Sequence, residues 1–82
     1  MGCKAGVPDI IILQPSGEYH GMTLELKVKG GHISEEQEAF SNKAKGLGYY
    51  SVIMPPLFEL MEGLDWAKKE IEYYLKIKYA NS

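Results

Sequence analysis

The sequence contains no arginine, so all nine of its basic side chains are lysines, and its formal net charge is −2. Proteins that bind DNA strongly usually present a basic surface, because contacts with phosphate dominate their affinity. This composition weighs against strong DNA binding driven by overall charge. Local clustering of lysines partly offsets this argument against DNA binding. Two lysines lie close together at positions 27 and 29, and two more lie at positions 43 and 45.

Cysteine is almost absent as well. The single residue, Cys3, cannot form an internal disulfide, and with only two scattered histidines it cannot build a zinc site. The chain therefore fits a reducing, intracellular compartment. No apolar run approaches the roughly 18 residues that span a bilayer, and no signal-peptide pattern opens the chain. The 82 residues contain no repeat or linker and predict one small domain, 1–82.

The clearest pattern in the chain is an alternating segment, residues 22–29, which predicts a β-strand. Successive strand side chains point to opposite faces, so one set enters a core and the other forms a polar face. The apolar set is Met22, Leu24, Leu26 and Val28, and the polar set is Thr23, Glu25, Lys27 and Lys29. The polar face therefore gathers one carboxylate and two amines.

A second acidic residue, Asp9, directly precedes the apolar residues 10–13, which predict another buried strand. Turn-forming residues at 14–17 predict that the two strands form an antiparallel hairpin. Such pairing would bring Asp9 and Glu25 together with Lys27 beside them. Two carboxylates bind a hard divalent cation through oxygen, and an ammonium group can orient water or stabilise developing negative charge. The pattern predicts a metal-dependent phosphodiesterase site.

Ser34 and Gln37 match a capping box, which predicts a helix from this point to about Lys45, ended by the glycines that follow. Residues 49–54 are rich in aromatic and β-branched side chains and predict a third strand. The connection from the second strand to the third suits a crossover.

The remaining residues predict helix in two pieces. Residues 57–61 would form a short turn broken at Gly63, and Asp65 would cap a final helix over residues 66–78. In that helix, the residues predicted to face the protein core are Ala67, Ile71, Tyr74 and Leu75. The predicted order is therefore ββαβα, an α/β fold with a small mixed sheet flanked by helices.

Three segments together resemble one nuclease family. The segments are Gly6-Val7-Pro8-Asp9, Glu25-Leu26-Lys27 and Ile33-Ser34-Glu35-Glu36-Gln37. They look like the VRR-NUC (virus-type replication-repair nuclease) domain of the PD-(D/E)XK superfamily, over about residues 4–52. A Pro-Asp followed by Glu-x-Lys is common by chance, but Gly-Val before it and the capped helix start after it make the combination specific. The resemblance implies a restriction-endonuclease-like fold.

The resemblance also implies roles for individual residues. Asp9 and Glu25 would ligate Mg²⁺ or Mn²⁺ with the main-chain carbonyl of Leu26. Lys27 would position or activate the attacking water, and Gln37 would help to organise the site. The best candidates for DNA-backbone contacts are Lys29, Lys43 and Lys45.

The activity implied is metal-dependent endonucleolytic hydrolysis of DNA, on branched substrates such as four-way (Holliday) junctions. A homodimer without a small-molecule cofactor, in the cytoplasm of a bacterial or phage-infected cell, is also implied. One departure is that the family usually begins with a helix bearing a further acidic residue, whereas the eight residues before Asp9 contain none. Two alternatives stay open: a catalytically impaired DNA-binding or assembly module of the same fold, and a small structural protein.

Overall fold

A computed structural model describes residues 6–80, with side chains as far as Ile77. Its elements are β1 (Ile10–Ile12), β2 (Met22–Glu25), α1 (Glu35–Gly46), β3 (Tyr50–Ile53) and α2 (Leu60–Ala80). The three strands form one sheet in the order β1-β2-β3. β1 and β2 are antiparallel, and β2 and β3 are parallel. The mixed sheet and the ββαβα order predicted from the sequence are confirmed.

The hydrophobic core lies between α2 and one face of the sheet. Met22 and Leu24 of β2 are 0% exposed and pack against Ala67 and Tyr74 of α2. Partly buried side chains pack around this core, among them Ile10, Ile12, Leu26, Tyr50, Val52 and Ile71. Burial of each large apolar side chain contributes about 1.5–3 kcal/mol, so this layer supplies most of the stability. The prediction that Leu75 of this helix faces the core is wrong, because its side chain is exposed.

The opposite face of the sheet is polar and packs against α1. The hydroxyls of Thr23 and Ser51 lie 2.6 Å apart, and that of Ser41 on α1 lies 2.8 Å from Ser51. All three residues are buried. Among the residues that the structure describes, no buried side-chain polar atom lacks a hydrogen bond. Small side chains such as Ser41 and Ala44 let α1 lie close to the sheet.

The second strand ends at Glu25, so its predicted extension to residue 29 is wrong. Ile10 pairs with Leu24, and continuing this antiparallel register places Pro8 opposite Leu26. Proline has no amide N–H and cannot continue the ladder. The chain then turns away, the Gly31 amide donating to the Val28 carbonyl at 2.9 Å. Val28, predicted to enter the core, is 78% exposed.

The final helix is continuous from Leu60, so the predicted break at Gly63 and the predicted cap at Asp65 are both wrong. Gly63 is buried, and a Cβ atom there would lie 3.2 Å from the Met54 sulfur. The glycine therefore allows close packing rather than ending the helix. Asp65 lies inside the helix and pairs with Lys69 at 3.2 Å. No helix within residues 6–80 has the length and apolar character needed to cross a membrane.

Candidate active site

One end of the sheet collects the residues that the sequence singled out. Because β1 runs antiparallel to β2, the start of β1 lies beside the end of β2, and one further step of the register sets Asp9 opposite Glu25. Gly6 lies in the segment that leads to Asp9 and packs against the main chain of the first turn of α1. Its φ is +88°, and a Cβ atom there would lie 2.5 Å from the Glu36 carbonyl oxygen. A residue with a side chain could not occupy this position without displacing the backbone that leads to Asp9.

Asp9 and Glu25 form an acidic pair with different surroundings. The Asp9 carboxylate accepts a hydrogen bond from the Leu26 amide at 2.9 Å. Glu25 is 7% exposed. Burial raises the pKa of the Glu25 carboxyl above its ordinary value of 4.5, and the neighbouring Asp9 raises it further through charge and hydrogen bonding. The positive charge of Lys27 opposes these effects.

The Gln37 side chain joins this acidic pair to α1. Its Nε2 donates to Glu25 Oε2 at 2.9 Å, and its Oε1 accepts from the Ser34 amide at 3.0 Å and from the Lys27 ammonium group. The Ser34 hydroxyl accepts from the Gln37 amide at 3.1 Å, which completes the predicted capping box. One amide side chain therefore caps a helix and fixes the relative positions of a carboxylate and an ammonium group.

Lys27 reaches the site although it lies beyond the end of β2. Its ammonium group donates to Gln37 Oε1 and to the His32 carbonyl at 2.8 Å. A lysine has three N–H donors, so one remains for a water molecule or a phosphate oxygen. Sequence reasoning did not assign this role to His32, because the contact is made by its main chain and leaves no signal in residue type.

The other predicted lysines lie outside this cluster. Lys29 pairs with Glu59 at 2.7 Å, and both side chains are exposed. Lys43 and Lys45 occupy the last turn of α1. At 1.5 Å per residue they lie about 9–12 Å along the helix from Gln37, toward the other end of the sheet. The structure therefore brings together Asp9, Glu25, Lys27 and Gln37, and leaves these three lysines apart.

A small cavity of about 10 Å³ lies beside Glu25. Its lining includes Gly6, Thr23, Glu25, Ser41 and Ser51. This volume is close to that of a single water molecule. The alternation in the sequence placed Thr23 on the same strand face as Glu25, but sequence reasoning did not assign a role to these hydroxyls.

The donor atoms at the site fit a hard divalent cation. Carboxylate oxygens of Asp9 and Glu25 are the ligands that Mg²⁺ and Mn²⁺ prefer, and a cation between them would offset the repulsion that raises the Glu25 pKa. Mg²⁺ is commonly held by one or two carboxylates with waters and substrate phosphates. Within residues 6–80 no group of three or more His, Cys, Asp and Glu side chains could hold a metal ion. The Leu26 carbonyl stays a predicted further ligand.

The chain is similar to known proteins over most of its length. The VRR-NUC domain family matches residues 1–54. A solved structure described as a "VRR_NUC domain protein" is 31% identical and superimposes with a TM-score of 0.77. The similarity covers 93% of this chain and 58% of that one, so this chain spans less than two thirds of that protein. No match was found among curated proteins.

Proposed function

The chain belongs to the VRR-NUC family, which lies within a nuclease superfamily, and from this premise we propose that it is a metal-dependent DNA endonuclease. The observation that carries the proposal is the contact network of Gln37, which holds Glu25 and Lys27 together at the end of the sheet where Asp9 faces Glu25. Two carboxylates can hold a divalent cation, and an ammonium group can stabilise the negative charge that develops on a phosphate during hydrolysis.

Asp9 and Glu25 would hold Mg²⁺ or Mn²⁺, together with the Leu26 carbonyl. When bound, such a cation supplies Lewis-acid polarisation of a phosphoryl oxygen and lowers the pKa of a water molecule. The structure supports this assignment because both carboxylates lie at one end of the sheet, and the Leu26 amide fixes Asp9 at 2.9 Å.

Lys27 performs a separate task. With two of its donors directed to Gln37 and the His32 carbonyl, its third N–H orients the attacking water or stabilises charge on the phosphate as the P–O bond breaks. Gln37 keeps the ammonium group at a fixed distance from Glu25. This arrangement costs no reorganisation during the reaction, because the helix cap already holds the glutamine in place.

Branched DNA, including four-way junctions, is the substrate class that we propose, with a homodimer as the active form. The exposed apolar side chains of Ile11 and Leu13 beside β1 support association of two copies. A symmetric dimer would present two sites to a substrate of approximately two-fold symmetry.

A catalytically impaired DNA-binding or assembly module is the second candidate. The observation that favours it is the donor set, since the described residues supply two acidic side chains to the site and no third. In that case DNA is bound but not cut.

Cleavage of an end-labelled four-way junction in Mg²⁺ and in Mn²⁺ tests the proposal, with a linear duplex of the same sequence alongside. The critical variant is Asp9→Asn. Its matched control is Asp65→Asn, which makes the same change at an exposed helix position. We expect cation-dependent cuts in the wild type and the control, and none in Asp9→Asn.

Cuts that persist in Asp9→Asn would refute the assigned site. Binding of the junction without cleavage in any cation would instead favour the binding module.

A further inference from the structure

A second concave surface opens at the same end of the sheet as the candidate active site. It is a groove of about 430 Å³ between residues 26–29, which follow β2, and the start of α2. Its apolar lining consists of Leu26, Val28, Met54, Phe58, Leu60 and Leu64. This volume falls in the range of pockets that enclose small organic ligands. We refer to it as the α2 groove.

The α2 groove adjoins the candidate active site directly. Lys27 lines the groove and also contacts Gln37 within the site. β2 and β3 are parallel, so both end here, and α1 and α2 both begin here. A polymer that lies across this end of the sheet would pass over both features.

Charge around the α2 groove favours an anionic ligand with an apolar part. Its charged lining residues are Lys27, Lys29 and Glu59, which leaves one excess positive charge. Lys29 and Glu59 form an exposed ion pair at 2.7 Å. Exposed pairs contribute at most about 1 kcal/mol, so a phosphate group could displace Glu59 from Lys29 at little cost.

The apolar floor suits a flat ring. Phe58 is held in place by Trp66, the two ring centroids lying 6.2 Å apart with planes inclined by 29°. The floor also includes Met54, whose polarisable thioether packs well against ring edges. A base still paired in a duplex could not enter such a groove, whereas a base without a partner could.

We propose that the α2 groove binds an unpaired nucleotide of the DNA substrate, with its base on the apolar floor and its phosphate at Lys29. This assignment rests on the proposed function for the identity of the polymer as DNA. It gives a physical origin for selection of forked DNA, because the single-stranded arms of a fork carry bases that lack partners.

Binding measurements on two matched DNAs test the assignment. A labelled fork with single-stranded arms and the fully paired duplex of the same sequence are titrated with protein in EDTA, and anisotropy is recorded. Leu64→Glu places a charge in the groove, and Leu64 is 49% exposed, so the fold should tolerate it. Met61→Glu is the control, since Met61 is 75% exposed on the same helix but does not line the groove.

We expect Leu64→Glu to weaken fork binding about tenfold and to leave duplex binding unchanged, while Met61→Glu changes neither. Val28→Glu, on the other wall, should reproduce the effect. Glu59→Gln releases Lys29 and should tighten fork binding several-fold.

Equal fork binding by the Leu64→Glu and Met61→Glu variants would overturn the assignment. So would a wild-type dimer that Leu64→Glu converts to a monomer, because the groove would then be an interface between copies. The proposed function is refuted by a different result. If the protein binds the fork selectively but cleaves no DNA, the groove assignment stands and the nuclease proposal fails. If it cleaves DNA but the two variants bind the fork equally, the nuclease proposal stands and the groove assignment fails.

Discussion

Glu25 is buried beside Asp9, and both circumstances raise the pKa of its carboxyl group above 4.5. The folded protein therefore binds this proton more tightly than the unfolded chain does. Between the unfolded and the folded pKa the folded state carries more protons, so the free energy of unfolding falls as pH rises through that window. Above the pKa of the folded state, the free energy of unfolding shows no further decrease from this group.

Replacing Glu25 with glutamine should remove this pH-dependent cost. We expect Glu25→Gln to be more stable than the wild type at pH 7 in EDTA, and the difference to shrink toward pH 4. Chemical denaturation across this range measures it, with Glu72→Gln as a control at an exposed helix position. A difference that does not vary with pH would show that Glu25 ionises normally.

Lys27 allows a prediction that separates chemistry from folding. Its side chain is outside the hydrophobic core, so Lys27→Ala should keep the melting temperature close to that of the wild type. Loss of a pre-positioned donor should lower the cleavage rate by about 10²–10³-fold. Lys69→Ala, in an exposed ion pair on α2 outside the site, is the matched control and should retain the rate. Normal cleavage by Lys27→Ala would remove lysine from the mechanism.

At the scale of elements, the start of α1 has two functions in one structure. The Ser34 hydroxyl caps the helix, and the Gln37 side chain, which closes the capping box, also contacts Glu25 and Lys27. Ser34→Ala should therefore lower the free energy of unfolding by about 0.5–2 kcal/mol and also weaken Mn²⁺ binding.

Ser34→Asp distinguishes these effects, because aspartate caps helices as well as serine does. We expect it to restore both stability and Mn²⁺ affinity, measured by calorimetry. If Ser34→Ala loses stability but keeps its Mn²⁺ affinity, the cap and the candidate site are independent.

Local sequence patterns predicted the order of elements and the helix cap, because alternation and capping boxes depend on neighbours along the chain. The errors lie where a distant residue decides the structure. β2 ends where a continued register would set Pro8 opposite Leu26. Gly63, predicted to break the final helix, lies within it and allows Met54 to pack closely. The sequence of residues 22–29 does not indicate the effect of Pro8, and the sequence around Gly63 does not indicate the contact with Met54.

In the candidate site, too, local sequence patterns identified some residues, whereas roles that depend on tertiary packing were missed. Asp9 and Glu25 were found because a hairpin places them opposite each other, and Gln37 because it belongs to a recognisable motif. The His32 carbonyl and the buried hydroxyls were missed, since their roles come from the packing of α1 on the sheet.

At the scale of the whole molecule, the described part of the chain exposes two apolar surfaces. One is the α2 groove. The other is a concave surface of about 460 Å³ beside β1, with apolar lining from Ile11, Leu13, Phe40, Leu47 and Tyr49. Concave apolar surface of this kind can mark a site of interaction.

Sedimentation velocity should therefore give a mass twice the 9.2 kDa of one chain. Leu13→Glu, at a position 77% exposed beside β1, should return the mass to that of a monomer, whereas Leu64→Glu should not. A wild-type monomer at all concentrations would contradict the proposed homodimer and leave the surface beside β1 without a second copy to cover it.

The shared use of Gln37 by the helix cap and the acidic pair also has a thermal consequence. Helix ends open by local fluctuations that need far less free energy than global unfolding. Each opening of the first turn of α1 would release Lys27 and Glu25 at the same moment. Activity should therefore reach its optimum and begin to decline on heating well below the melting temperature, while the sheet and α2 are still folded.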